Sequence, residues 1–200
     1  MENNVSETLA ASATPWIYVV LIIAVLAFLI YVRLIQLRNK VKESAADVDV
    51  QLKKRYDLLP NMLQMASKFM EHEKNIMTEI TKLRTQALET SFADNPQKKI
   101  ELENLLNQKL NDFKISLENY PDLKSNQTMI TAMQSMNEIE EHISAARRFY
   151  NANVTSLKNM VEIFPCSIIA HLMRISYKDN PFFEISEEER KPISSKDYFK

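Results

Sequence analysis

The sequence predicts an all-α protein: an N-terminal transmembrane helix, then an antiparallel, four-helix-bundle-like domain of three long helices plus a short fourth. Three observations predict it. The 200 residues include no glycine, where an average chain of that length holds roughly 14. Residues 16–32 are apolar apart from two tyrosine hydroxyls. From Val41 onward, apolar residues recur at three- and four-residue steps, the pattern of helices that bury one coiled-coil-like seam. Glycine supplies positive-φ turns and phosphate-cradling loops. Its absence disfavours a turn-rich β fold and removes the GxGxxG, P-loop and GxSxG fingerprints outright.

The apolar run WIYVVLIIAVLAFLIYV extends over roughly 26 Å as a helix, close to the thickness of a bilayer core. Trp16, Tyr18 and Tyr31 lie near its ends, where aromatic belts sit. Residues 1–15 carry Glu2 and Glu7 but no lysine or arginine, unlike the basic start of a cleaved signal peptide. Arg33, Arg38, Lys40 and Lys42 follow the run. The positive-inside rule then places residues 1–15 outside as a short extracytoplasmic N-terminus, 16–32 in the membrane and the remainder in the cytoplasm. Residues 33–186 form the predicted bundle and 187–200 a mobile polar tail. The stretch Ile163–Met173 is too short to span and is interrupted by Pro165 and His171. It is expected to pack on the domain or lie against the membrane surface.

The first bundle helix is expected from about Val41 to Ser91. One heptad series is Ala45, Leu52, Leu59, Ala66, Ile80 and Ala87; the other is Val41, Val48, Met62, Phe69, Ile76 and Leu83. Their phase passes Pro60 without a slip, which favours a helix kinked at Pro60 over a true break near Leu58–Pro60. The break stays open as an alternative. Proline there removes the bond to the Tyr56 carbonyl and disfavours the α conformation at Leu59. Asn95 and Pro96 read as N-cap and first residue of the second helix. Its face carries Leu102, Leu106, Lys109, Phe113 and Leu117, widened by Leu105 and Leu110. Pro121 ends it, and YPDLKSN reads as a connection. Asn126 caps a third helix from about Gln127 to Phe164, with a stripe of Met129, Met133, Met136, Glu140, Ile143, Arg147, Tyr150, Val154, Leu157, Val161 and Phe164. A short fourth helix is expected around Ser167–Ile175.

The chemistry these residues can carry is limited. A net charge of −1 argues against nucleic acid as the partner. A single cysteine, Cys166, forms no intrachain disulfide. His72-Glu73 begins an HExxH zinc motif, but Ile76 stands where the second histidine belongs. No metal and no cofactor is therefore expected, and no catalytic residue can be named. Met129, Met133 and Met136 follow the helix seam and suit adaptable core packing. One constellation departs from plain packing. Arg55 occupies a seam position near Asp57 and Asn61, while Glu140 and Arg147 sit on the third helix's stripe with Asn151 close by. Facing seams would join these six into a polar layer, because an unpaired buried charge is costly. That layer would fix register or hold a polar ligand.

Several motifs in order resemble the bacterial LemA family: DVQLKKRYDLLP at 49–60 with Asn61 after it, Glu118–Lys124 (ENYPDLK), Ala146–Asn151 (ARRFYN), Phe164-Pro165 with Ile169-Ala170, and Pro181–Glu184 (PFFE). The likeness runs from about Leu37 to Glu184. Ala45 departs from the family's usual tryptophan, and Leu172-Met173 from its aromatic–glycine pair. The resemblance implies a membrane-anchored helical bundle of the bacterial cytoplasmic membrane with no established enzymatic activity. The expected function is a non-enzymatic scaffold or adaptor for an unidentified protein partner. The alternative is a binding module holding a small polar ligand or lipid head group in the polar layer. The lipid bilayer is the first partner expected; a second copy of the chain stays open as another.

Overall fold

The computed structural model describes residues 2–92 and 94–184, with side chains described from residue 16. The side chains of residues 1–15 and the expected tail at 187–200 lie outside the described residues. The protein is all-α, and no strand occurs among the described residues. In chain order the helices are α1 (Glu2–Ala66), α2 (Lys74–Glu89), α3 (Pro96–Leu117), α4 (Pro121–Lys124), α5 (Gln127–Glu162) and α6 (Cys166–Leu172), with a single 3₁₀ turn, Glu71–Glu73, ahead of α2.

The expected caps form where the sequence places them. The Asn95 side chain accepts from the Lys98 N–H at 3.1 Å, with Pro96 at the first helical position. Asn126 Oδ1 accepts from the N–H of Thr128 at 3.0 Å and opens α5. Each satisfies a donor that the first turn leaves orphaned. Pro121 stops α3 but also begins the one-turn α4 inside the expected connection. The short fourth helix forms as α6.

Two expectations are corrected. The membrane-length run and the first bundle helix are one helix, α1, and the expected helix to Ser91 is two. The chain turns at 67–69, then passes through Met70 and the 3₁₀ turn before α2 starts. The interruption from Ser67 to Glu73 is one heptad long, so α2 resumes near the phase α1 left and the periodicity conceals the reversal. Burial exposes it. Ala66, Ile80 and Ala87 are buried as expected, but Phe69 is exposed and Met77, not Ile76, is buried in α2. At Pro60 the helix does not break; α1 continues to Ala66.

The chain forms two compact units to which α1 and α5 both contribute. One holds α1 as far as Val41 together with Asn153–Asp179; the other holds Lys42–Ala152 and the described segment from Asn180. In the first unit, Leu34, Leu37, Val41, Val154, Leu157, Ala170 and Ile175 are buried. Its α1 portion includes the only stretch among the described residues long and apolar enough to cross a membrane. From Trp16 to Tyr31 its large apolar side chains are almost all exposed. In the second unit the side-chain bonds give the topology. Arg84 on α2 reaches Tyr56 on α1, Lys99 on α3 reaches Ala87 on α2, and Glu140 on α5 reaches Arg55 on α1. Successive long helices therefore run antiparallel, as short connections require. Leu52, Leu59, Met62, Ile80, Leu106, Phe113, Met129, Met136 and Ile143 fill the core between them.

Candidate functional site

The polar layer exists in the second unit, but its membership differs from the expected one. Arg55 is fully buried on α1. Its Nη1 donates to Asn107 Oδ1 at 2.7 Å and to Glu140 Oε1 at 2.9 Å. Its Nη2 donates to Glu103 Oε2, and the Tyr56 hydroxyl donates to the other oxygen of the same carboxylate. Glu103 is also fully buried, and Arg147 Nη2 stands 3.7 Å from it. Two arginines from α1 and α5 thus converge on one carboxylate from α3, with Glu140 completing the charge count. A buried ion needs such pairing, because its desolvation is several kcal/mol.

A second ionic step lies one turn away. Lys99 Nζ donates to the Ala87 carbonyl at 2.6 Å and sits 5.0 Å from the centre of the Tyr56 ring. Asp49 Oδ1 is 4.0 Å from that ammonium, and its Oδ2 accepts from the Phe92 N–H at 3.4 Å. Burial pulls the Lys99 ammonium below its ordinary value, against the pull of Glu103 and Asp49. Burial likewise pushes the Asp49 carboxyl up, against Lys99. Both groups are displaced toward neutrality, so the loose 4.0 Å pair does not offset their dehydration. Arg55 behaves in the opposite sense. Burial pulls it down, but Glu103 and Glu140 together hold it above its ordinary value. Tyr56 is raised by burial first and by Glu103 second, so its phenol stays a proton donor.

Of the six expected layer residues, Arg55 meets Glu140 directly and Arg147 through Glu103. Asp57 and Asn61 are corrected: both side chains face solvent. Asp57 pairs with Lys53 one turn back on the outer side of α1. Asp57 stands two positions from Arg55 and Asn61 two from Leu59, and over two residues a helix turns about 200°, away from the core. Asn151 does a different job. Its Nδ2 donates to the Phe183 carbonyl at 2.9 Å and its Oδ1 accepts from the Phe183 N–H at 3.0 Å. The Tyr150 hydroxyl donates to the Pro181 carbonyl at 3.2 Å. Phe92 stacks on Phe183 and both meet the Tyr150 ring edge to face, with centroids 5.1–5.5 Å apart, and the Arg147 guanidinium lies 5.1 Å from the Phe183 ring. The segment Pro181–Phe183 is therefore tied down by the ARRFYN motif. Pro60 is exposed, and the Tyr56 carbonyl it deprives accepts from Arg84 Nε at 2.6 Å.

Glu103, Lys99, Asp49, Tyr56 and Asn107 were not foreseen, although a signal for two of them is present. Of the buried positions of α3, Lys99, Glu103, Leu106, Leu110, Phe113 and Leu117 follow one another in alternating four- and three-residue steps, with Ile100 and Leu102 buried beside them. Extending the apolar seam back from Leu106 lands on Glu103 and Lys99. The expected Lys109 and Leu105 lie off that seam; Leu105 is exposed and Lys109 pairs with Glu79 at 2.7 Å. Among the described residues, no cluster of three or more histidine, cysteine, aspartate or glutamate side chains is placed to hold a metal.

The arrangement is a charge network from three helices with a buried centre: Arg55 and Glu103 have no exposed side-chain surface, while Glu140 and Arg147 reach water at its edge. Chemically it can hold α1, α3 and α5 in one register. Against known proteins, the family model described as LemA family matches residues 44–196. No curated protein matches the chain.

Proposed function

The chain belongs to the LemA family, and from that premise we propose a non-enzymatic, single-pass membrane protein that acts as a helical scaffold or adaptor for a protein partner. Residues 16–32 anchor it in the bacterial cytoplasmic membrane, and the bundle works at the inner face. The observation that carries this reading is the change of character along α1. Its side chains from Trp16 to Tyr31 are apolar and almost all exposed, whereas Leu34, Leu37, Val41, Val48, Leu52, Tyr56 and Leu59 are buried. An exposed apolar length of that kind needs lipid around it. The basic flank at Arg33, Arg38, Lys40 and Lys42 sets the direction. The ligand-binding alternative is weaker, because the groups that would hold a polar ligand hold one another: Arg55 and Glu103 have no exposed side-chain surface.

Two measurements test the proposal. A reporter fused to the C-terminus should be active only in the cytoplasm; a periplasmic signal overturns the direction. Photo-crosslinking residues placed at Ile115 and Phe149, both exposed on the bundle, should give a discrete adduct in intact membranes. Its mass separates a foreign protein from a second copy of the chain. Absence of any adduct across the exposed bundle positions overturns the adaptor role.

A further inference from the structure

Beyond residues 16–32, exposed large apolar side chains among the described residues mostly stand alone, as Val50, Phe69, Leu88 and Ile115 do. The exception is at α6. Phe164, Ile168 and Leu172 follow one another at four-residue steps and are 76%, 61% and 82% exposed, with Ile163 and Met173 exposed beside them. Ile168 and Leu172, four residues apart on α6, lie in one row along the helix, and Phe164 stands in the turn just before it. The other side of the same segment is anchored, with Ala170 and Ile175 buried. The segment is thus held by one face while presenting a row of apolar side chains on the other. Isolated apolar residues on a surface are ordinary; a contiguous row marks an interaction site.

What covers the row is indicated by its setting. Ala170 and Ile175 belong to the same compact unit as residues 16–32 and the buried Leu34, Leu37 and Val41. From Val32 to Val41 the helix rises only about 14 Å, about the depth of the headgroup layer and the water next to it. Within this unit, the charges at 33–41 and 153–179 are mostly of one sign. Arg33, Arg38, Lys40, Lys158, Arg174 and Lys178 stand against Glu162 and Asp179. Glu162 is further occupied, accepting from the Tyr177 hydroxyl at 2.8 Å. His171, Arg174 and Lys178 open onto a surface cleft of about 630 Å³ next to the row. An apolar face bordered by cations is the composition that lies in the plane of an anionic bilayer.

We propose that α6 is an interfacial membrane helix: Phe164, Ile168 and Leu172 enter the boundary between headgroups and acyl chains of an anionic bilayer, and Arg174 and Lys178 bind lipid phosphates. The chain then touches its membrane twice, through the span and through this lateral contact. The inference rests on the reading of residues 16–32 as a span.

The test uses the full chain carrying Cys166→Ser and a single introduced cysteine, labelled with an environment-sensitive fluorophore. The label is placed at Leu172 in one preparation and at Leu26 in another. Each is reconstituted into vesicles of phosphatidylcholine alone or with phosphatidylglycerol, and quenching by brominated acyl chains is read. Both labels should be quenched. Quenching at Leu172 should be greater in the anionic vesicles, and that excess should be lost at high salt and in an Arg174→Glu/Lys178→Glu variant. A Leu172 label that stays water-exposed while Leu26 is quenched overturns the lateral contact alone. A water-exposed Leu26 label overturns the span as well. Equal quenching in neutral and anionic vesicles overturns the attraction of Arg174 and Lys178 to an anionic surface. Pairing of Leu172 labels between chains that persists on dilution with lipid means a second copy covers the row, and overturns the membrane assignment.

Discussion

Arg55 is a cation with no exposed surface, and its stability rests on what faces it. Removing one partner of a buried ion pair costs about 3–5 kcal/mol, because the other charge is stranded. Glu103→Ala should therefore lower the unfolding free energy by about that amount, read as a reduced urea midpoint. Arg147→Ala should cost clearly less, since its nearest contact to Glu103 is 3.7 Å and a fifth of its side chain meets water. Asp57→Ala should stay within about 0.5 kcal/mol, as exposed pairs do. Equal losses from all three would contradict Glu103 as the centre. Asp49 carries a pH prediction. Its folded pKa is raised, so the native state binds the proton more tightly than the unfolded chain. Stability from this group is present below about pH 3.8–3.9, the ordinary aspartate value, and is lost as pH rises through the folded pKa. Asp49→Asn should thus raise the urea midpoint at neutral pH and lose that advantage in acid. Half of this layer was legible beforehand. Arg55, Glu140 and Arg147 interrupt apolar stripes, and an interrupted stripe is visible in one dimension. Tyr56 continues the step from Leu52 to Leu59, but Asn107 and Asp49 are recruited by proximity in space, and no periodicity announces that.

At the scale of the element, α1 carries a proline in its interior without ending. Proline in a helix interior costs roughly 3 kcal/mol relative to alanine, part of it through a carbonyl left without a donor. Arg84 on α2 donates to that carbonyl, so one helix repairs a defect in its neighbour. The two residues should be coupled. Arg84→Ala should destabilise the wild-type chain by about 1–3 kcal/mol, the cost of an unsatisfied buried acceptor. In a Pro60→Ala background, where the backbone N–H returns, the loss should be markedly smaller. A double-mutant cycle by thermal or urea unfolding measures this; strictly additive effects would dismiss the repair. Phase continuity across Pro60 made this continuity readable. The same signal misled at Ser67–Glu73, because an interruption of one full heptad leaves the phase almost intact. The exposure of Phe69 and the exchange of Ile76 for Met77 in the core betray the turn. A seven-residue periodicity cannot distinguish seven residues of helix from seven residues of loop.

For the whole molecule, the apolar run and the bundle are both written in coarse patterns, which is why the fold class was legible without any contact being known. The apolar run at 16–32 needs only length, and the bundle needs only seams and caps. If the run is an anchor, Ile23→Arg together with Leu26→Arg should abolish it, since an arginine at the centre of a span costs about 2.5–3.5 kcal/mol on an insertion scale. The variant should leave the alkaline-carbonate-resistant pellet that retains the wild-type chain; full retention would contradict the anchor. The order of residues along the chain adds a consequence of the Arg55 network. Arg55 precedes Glu103 by 48 residues and Glu140 by 85. At about 5–20 residues per second, a ribosome takes about 4–17 s to add the second of these acids. Until then the nascent chain displays an amphipathic helix whose central cation has no completed partner set and must stay hydrated. Closure of the bundle is thereby deferred until most of the chain has been synthesised. Over those seconds its apolar seam is open to a chaperone or to misfolding, and premature termination before Glu140 would yield a fragment unable to bury its own arginine.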